Sequence, residues 1–186
     1  MRRVLCPDKL RTDEWLEVHR VAHQVGLRST VTIMFGAVEQ ARHWARHLLR
    51  TRELQRETGG FTELVPLPFV HMATPLFLEG RARRGPTFRE VLLVHAVGRI
   101  AFAGLLDNVQ ASWVKTGLDG LRQLLQAGCN DAGGTLGDEQ IAAAAGAIGS
   151  PAMTPAELQA AIAPLGRPVA QRTTLYERPA TTGSPR

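Results

Sequence analysis

Residues 128–136, GCNDAGGTL, set a carboxamide, a carboxylate, two glycines and a hydroxyl between two helical patterns. Asn130 and Asp131 can hydrogen-bond a polyhydroxyl chain or an amine, or they can close an Asx-turn into Gly133. Gly133, Gly134 and Thr135, standing ahead of a helix, would present backbone N–H groups to an anion. Upstream, Gln110, Ser112 and Lys115 leave an alternating run for a loop. There an amide, a hydroxyl and an ammonium could meet a carboxylate or the edge of a heterocycle; capping a strand end is the plainer use of the same groups. His71, in PLPFVHM just after another β-type run, is the histidine best placed for an active site.

Other spacings suggest other chemistry. His19/His23 and His43/His47 each stand four apart, which would set two imidazoles on one helix face and within reach of one metal ion. Neither pair carries the glutamate of a zinc hydrolase motif, so both read as solvated helix faces. Arg42, Arg46, Arg50, Arg52 and Arg56, with Arg81, Arg83 and Arg84 later, could track a phosphate backbone. Glu39, Glu53 and Glu57 interleave with them and only Trp44 offers a stacking ring, so the run reads as a solvated exterior and no nucleic-acid partner is expected. The net charge is +5, almost all of it arginine, with Lys9 and Lys115 the only lysines. Cys6 and Cys129 match no metal-ligand spacing and are expected to be two ordinary reduced thiols. No apolar run approaches a membrane span and Met1-Arg2-Arg3 precedes no signal-peptide core, so the expected location is cytoplasmic, away from membranes.

The elements that must position these groups alternate. Helices are expected from Thr12 as N-cap to Gly26, and from about Val38 to Thr58 with Val38, Ala41, Ala45 and Leu48 on one face. Thr87 and Glu90 form a capping box ahead of VLLVHAVGRIAF. Leu118, Leu121, Leu124 and Leu125 mark a helix closed by Gly128. Thr154, Pro155 and Glu157 open the last one. Between them lie β-type runs at 29–35, 61–69, 108–113 and 127–131. Strand and helix in alternation predict a parallel α/β architecture with ligand loops at the carboxyl ends of the strands. Pro66 and Pro68 are expected to end the second strand near Val65. At 186 residues the chain suffices for one core.

DNVQASWVKTG (107–117), GCNDAGGTL (128–136) and GRPVAQRTTLYERP (166–179), with STVTIMFG and ELVPLPFVHMATPL, resemble one group of radical S-adenosylmethionine enzymes. Within that group the chain is similar to the tyrosine-using half of the deazaflavin (FO) synthase, and AAGA at 144–147 leans the same way. Menaquinone-pathway enzymes acting on futalosine-type substrates share the strand-plus-ND pattern and are the alternative; a non-catalytic scaffold or interaction module is another. The resemblance implies a radical (β/α) TIM-type barrel binding S-adenosyl-L-methionine and a [4Fe–4S] cluster. It also implies transfer of a 4-hydroxybenzyl fragment from L-tyrosine to 5-amino-6-ribitylaminouracil.

The family's CxxxCxxC cluster loop has no counterpart here, so the ligands of the cluster are absent from this chain. Residues 1–176 are similar to the C-terminal half of the barrel, β5–β8, and 177–186 are expected to be a disordered tail. A truncated gene product or one piece of a split enzyme is implied, with a separate N-terminal half or self-association completing it. By resemblance Thr32, Met34, Gly36 and Glu39 lie on the S-adenosylmethionine side. His71, Gln110, Ser112, Lys115, Asn130, Asp131, Gly133, Gly134 and Thr135 face substrate. Ala37 stands where relatives carry histidine, and Asp138 and Gln140 replace other polar residues. A half barrel should leave unpaired edges at STVTIMF and AGCND, and an uncovered inner face including Ile33, Leu64, Val65 and Val109.

Overall fold

The computed structural model describes residues 1–135, 140–146 and 153–179; Asp138, and residues 180–186 of the tail, lie outside them. A one-turn helix, α1 (Arg2–Leu5), leads into α2 (Thr12–Gln24). The cap of α2 is Arg11 and not Thr12, because the Glu14 carboxylate reaches back to the Arg11 N–H at 2.7 Å. β1 (Ser29–Phe35) follows, then α3 (Ala41–Thr58), β2 (Phe61–Pro68), the short α4 (Pro75–Leu78) and α5 (Phe88–Ala101). α6 (Trp113–Gln126), α7 (Gln140–Ala144) and α8 (Pro155–Ile162) complete the order. Both expected capping boxes form: Thr87 Oγ1 accepts the Glu90 N–H at 3.3 Å, and Thr154 Oγ1 accepts that of Glu157 at 3.2 Å.

β1 and β2 pair in parallel across their whole length. Two single parallel bridges carry the order onward, Leu64 to Val109 and Gln110 to Asp131. The fold is therefore mixed α/β around a small parallel sheet, with successive segments side by side. The runs expected as third and fourth strands shrink to these bridges for local reasons. Ser112 already caps α6, and Ala127 still caps its far end. Between them the Asn130 carboxamide stands in for a ladder bond, accepting the Val109 N–H at 2.9 Å.

β2 runs past Val65, against expectation, and the reason is parity. Leu64 donates its N–H to Asn108 at 2.9 Å and accepts that of Gln110 at 2.9 Å, while Phe69 donates to Phe35 at 2.8 Å. Even positions of β2 thus turn their N–H away from β1. Pro66 and Pro68 share Leu64's parity, so their missing donors face the side where the neighbouring segment has already turned into α6. No bond to β1 is lost.

Side-chain alternation then divides the sheet into two unlike faces. Val31, Phe35, Leu64 and Val109 are fully buried, with Ile33 close behind, where α3, α5 and α6 pack. Ile33, Leu64 and Val109 therefore belong to the helix-covered face, not to an open inner one. The opposite face carries Thr30, Thr32 and Met34 from β1, Glu63 and Val65 from β2, then Gln110 and Asp131. Thr32 and Met34 there are exposed.

α3 buries Leu48, Thr51, Leu54 and Gln55, whereas Ala41 and Ala45 are exposed. An alanine stripe offers too little apolar area to set the roll of a helix against larger side chains. The histidine pairs are not solvated either. His23 contacts Thr58 Oγ1 at 2.7 Å and Ser29 Oγ at 2.9 Å, His19 contacts Ser29 Oγ at 3.1 Å, and both rings pack on Phe61. His43 serves as a cap, its Nδ1 accepting the Gln40 N–H at 2.9 Å. His47 is half-buried beside Trp15, with its Nε2 shut away from solvent. The arginines do form the expected exterior: Arg52 and Arg56 pair with Glu53, Arg81 with Glu79, Arg83 with Glu90. No helix among the described residues is long and apolar enough to cross a membrane.

Gln55 joins three elements. Its amide accepts the Phe61 N–H at 2.8 Å and donates to the carbonyls of Phe61 and Leu105 at 3.1 and 3.0 Å. Gln55→Ala orphans these buried groups and should cost about 2–4 kcal/mol in urea denaturation. Acid should act through His47. Burial, then the Arg2 cation, lowers its pKa to about 4. Below about pH 6.5 the unfolded imidazole binds a proton that the folded one refuses, so stability must fall on acidification, by up to about 1.4 kcal/mol per pH unit. Urea midpoints between about pH 7 and pH 5 should drop, and His47→Gln should flatten that slope.

Candidate functional site

Across the open face runs a connected polar network. Glu63 Oε2 accepts Gln110 Nε2 at 2.9 Å and the Tyr176 hydroxyl at 2.6 Å. Asp131 Oδ1 accepts the Gly133 N–H at 2.6 Å, and its Oδ2 accepts Nε of Arg172. The Arg172 guanidinium lies 4.2 Å from the Tyr176 ring centroid and 3.8 Å from Glu63 Oε2. Glu63 and Asp131 are both buried. Burial, and then the bond to Glu63, pushes the Tyr176 phenol far above its ordinary value, so it remains a donor. Burial works against the Arg172 charge, but the bond to Asp131 outweighs it and holds the guanidinium protonated.

Arg172 and Tyr176 come from a tight turn in the last described segment. The Tyr176 N–H donates to Thr173 O at 3.1 Å, and the Glu177 N–H donates to Thr173 Oγ1 at 3.1 Å. Tyr176 has φ 67°, a left-handed conformation uncommon for a residue with a Cβ. Its two side-chain contacts hold it there. Glu63, Arg172 and Tyr176 were not among the expected site residues. The available signal was a carboxylate at an alternate position of the second β run, inside a stretch of apolar residues and prolines.

The expected residues divide between this network and other work. Gln110, Asp131 and Gly133 belong to it; Asp131 makes the Asx-turn and meets Arg172 as well. A Cβ at Gly133, which has φ 75°, would lie 3.3 Å from Gln110 Oε1. Asn130 instead ties strands to helix, accepting from Val109 N and, at 2.7 Å, from Arg99. Gly134 O accepts Trp113 Nε1 at 2.9 Å. Thr135 accepts the Met153 N–H at 3.4 Å. Ser112 and Lys115 sit on the first turn of α6, with no side-chain partner for the ammonium among the described residues. His71 stacks edge-on against Phe77 at 4.6 Å, beyond the end of β2. Asn130, Asp131, Gly133, Gly134 and Thr135 line a cavity of about 480 Å³ with Arg167, Arg172, Tyr176 and residues of α8.

Of the residues expected on the S-adenosylmethionine side, Thr32 and Met34 project from the open face. Gly36, at φ 98°, has no room for a Cβ, which would lie 2.2 Å from Pro86 Cδ. Glu39 is occupied by its own loop, accepting the N–H groups of Gly36, Ala37 and Val38 and, at 3.0 Å, Trp44 Nε1. Burial would raise its pKa, but these donors outweigh burial and hold it below the usual range. This closed loop is also why α3 starts at Ala41 and not Val38.

The residues present do not fit a cluster. Cys129 is 1% exposed and burial pushes its thiol up to about 12, while Cys6 is distant in sequence and half-buried. Among the described residues no three histidine, cysteine or acidic side chains converge as a metal site.

The chain belongs to the family described as the CofH/MqnC C-terminal region, which matches residues 58–182. It is 51% identical over 178 residues to the FO synthase of Nocardia farcinica, a match covering 96% of this chain and 21% of that protein. It is 46% identical over 177 residues to the 5-amino-6-(D-ribitylamino)uracil–L-tyrosine 4-hydroxyphenyl transferase of Methanopyrus kandleri, covering 95% of this chain and 48% of the relative. The enzyme of the same name from Methanocaldococcus jannaschii is 45% identical, with 49% of it covered. The chain thus spans about a fifth of the first relative and about half of the other two.

Anaerobic treatment of this chain alone with iron and sulfide should give no stoichiometric, reducible cluster, since cluster assembly needs a set of thiolates that two separated cysteines do not provide. In the native protein a thiol reagent should label Cys6 and spare Cys129; in denaturant both should react.

Proposed function

We propose that this chain forms the substrate-bearing portion of a radical S-adenosylmethionine transferase, an FO synthase joining L-tyrosine to 5-amino-6-(D-ribitylamino)uracil in deazaflavin synthesis. Its parallel segments would be the C-terminal half, β5–β8, of a (β/α) barrel. The observation that carries this is the two-faced sheet. One face is packed by helices, and the other presents a network of Glu63, Gln110, Asp131, Arg172 and Tyr176, its two carboxylates buried, beside the exposed Thr32 and Met34. Similarity to the 4-hydroxyphenyl transferases over 95% of the chain supports it.

In this role Gln110 and Tyr176 orient the Glu63 carboxylate, and the Asp131–Arg172 pair anchors the turn that carries Tyr176. Thr32, Met34 and Gly36 form the side turned toward S-adenosylmethionine, while His71, Ser112 and Lys115 stand at the ends of their segments as further substrate contacts. S-adenosylmethionine, when bound beside a reduced cluster, would supply the hydrogen-abstracting radical chemistry. The cluster itself belongs to a cluster-bearing N-terminal half, as a partner polypeptide or a preceding segment.

The test is complementation. The N-terminal half of the Methanopyrus kandleri transferase, reconstituted anaerobically, is mixed with this chain, S-adenosylmethionine and both substrates. Product should require both polypeptides, and Arg172→Ala should lower the rate about a hundredfold by releasing Asp131 and Tyr176 together. Absence of product from a mixture that forms a stable complex and holds its cluster would refute the proposal; turnover of a futalosine-type substrate instead would move it to the menaquinone branch.

A further inference from the structure

The Glu63 carboxylate is buried with its bonding unfinished. Oε2 accepts from both Gln110 and Tyr176 and has Arg172 nearby. Oε1 accepts nothing among the described residues. The side chain is only 10% exposed, yet Oε1 is not sealed off as the partnerless ring nitrogens of His47 and His95 are. A carboxylate oxygen with so little water and no donor costs folding free energy, which a ligand's donor would recover.

Charge decides what kind of donor. Glu63 and Asp131 bring two negative charges, and Arg172 is the one cation paired with either among the described residues. Tyr176 stays a neutral phenol, so the network retains an excess of one negative charge. That balance favours a cation at Oε1. Among the described residues no group of three histidine, cysteine or acidic side chains converges there to hold a metal ion. A primary ammonium needs only one carboxylate oxygen, bonds it strongly, and keeps two further N–H donors. Thr30, opposite Glu63 in register, offers its hydroxyl on the same face.

We infer that Glu63 Oε1 binds the primary ammonium group of the ligand, with Gln110 and Tyr176 as positioning residues that fix the carboxylate from its other oxygen. The naming of that ligand as L-tyrosine rests on the function proposed above; the ring-bound amine of 5-amino-6-ribitylaminouracil is conjugated and carries no such charge.

The experiment titrates the full chain with L-tyrosine, tyramine and 3-(4-hydroxyphenyl)propionate, which differ in carrying both charged groups, the ammonium alone or the carboxylate alone. Binding is followed by NMR shifts at neutral pH. Tyramine and L-tyrosine should bind at least about tenfold more tightly than the propionate, and Glu63→Gln should remove that preference while leaving the propionate unchanged. Tyr176→Phe should weaken tyramine a few-fold and keep the order. The same affinity for all three ligands, no binding of any at millimolar concentration, or full tyramine binding by Glu63→Gln overturns the inference. The ligand series on the parent protein needs no variant, so it decides even if Glu63→Gln loses its cooperative thermal transition. Turnover in the two-polypeptide assay without amine preference defeats this inference alone; amine preference without turnover defeats only the proposed function.

Discussion

A parallel sheet with its apolar face packed by helices and polar groups gathered on the other is the constraint from which the rest of this molecule follows. Parallel strands reach their neighbours through crossover helices, which ordinarily leave both faces covered. Here α3, α5 and α6 take the apolar face, and period-two alternation sends Thr30, Thr32, Glu63, Gln110 and Asp131 to the other. The polar groups cannot move to the helix side without dragging Val31, Leu64 and Val109 out of the core. Their convergence is thus fixed by the same register that buries the apolar residues, and a one-residue slip would destroy core and network together.

Two residues adjacent in sequence show how that register is locked and used. Asn130 faces the helices and substitutes for a strand ladder, accepting from Val109 N and from Arg99, which also donates to the carbonyls of Gly128 and Asp107 at 2.7 and 2.5 Å. Asp131 faces the open side and meets Gly133 and Arg172. The pair reads in sequence as one polar motif, but a pleat separates its halves into fastening and site. This is why the segment needs so little regular strand to hold its position.

Legibility in the sequence followed the range of the interactions. Thr87 with Glu90 and Thr154 with Glu157 act within one helical turn, so their boundaries could be read directly. The β1 and β2 runs announced themselves by alternation, although Pro66 and Pro68 misled, because the harm a proline does depends on which neighbour its nitrogen faces. His19, His23 and His47 looked solvated at helical spacing, while Phe61, which packs on the first two, and Trp15, which packs on the third, lie far from them in the chain. Glu63, Arg172 and Tyr176 were beyond local inference. Glu63 meets Gln110 from 47 positions away and Tyr176 from 113. The family of the chain, by contrast, was visible in whole segments, since collinear similarity does not require knowing which residues touch.

Tyr176 is the only tyrosine in the chain, and its ring is wedged between Arg172 and Glu63. Biosynthetic replacement of tyrosine by a fluorinated analogue would therefore place a single magnetic label in this protein, at the centre of the polar face. One fluorine resonance, free of overlap, would report every change in ring environment or hydrogen bonding there. The molecule carries its own spectroscopic window, opened by composition and aimed by the fold.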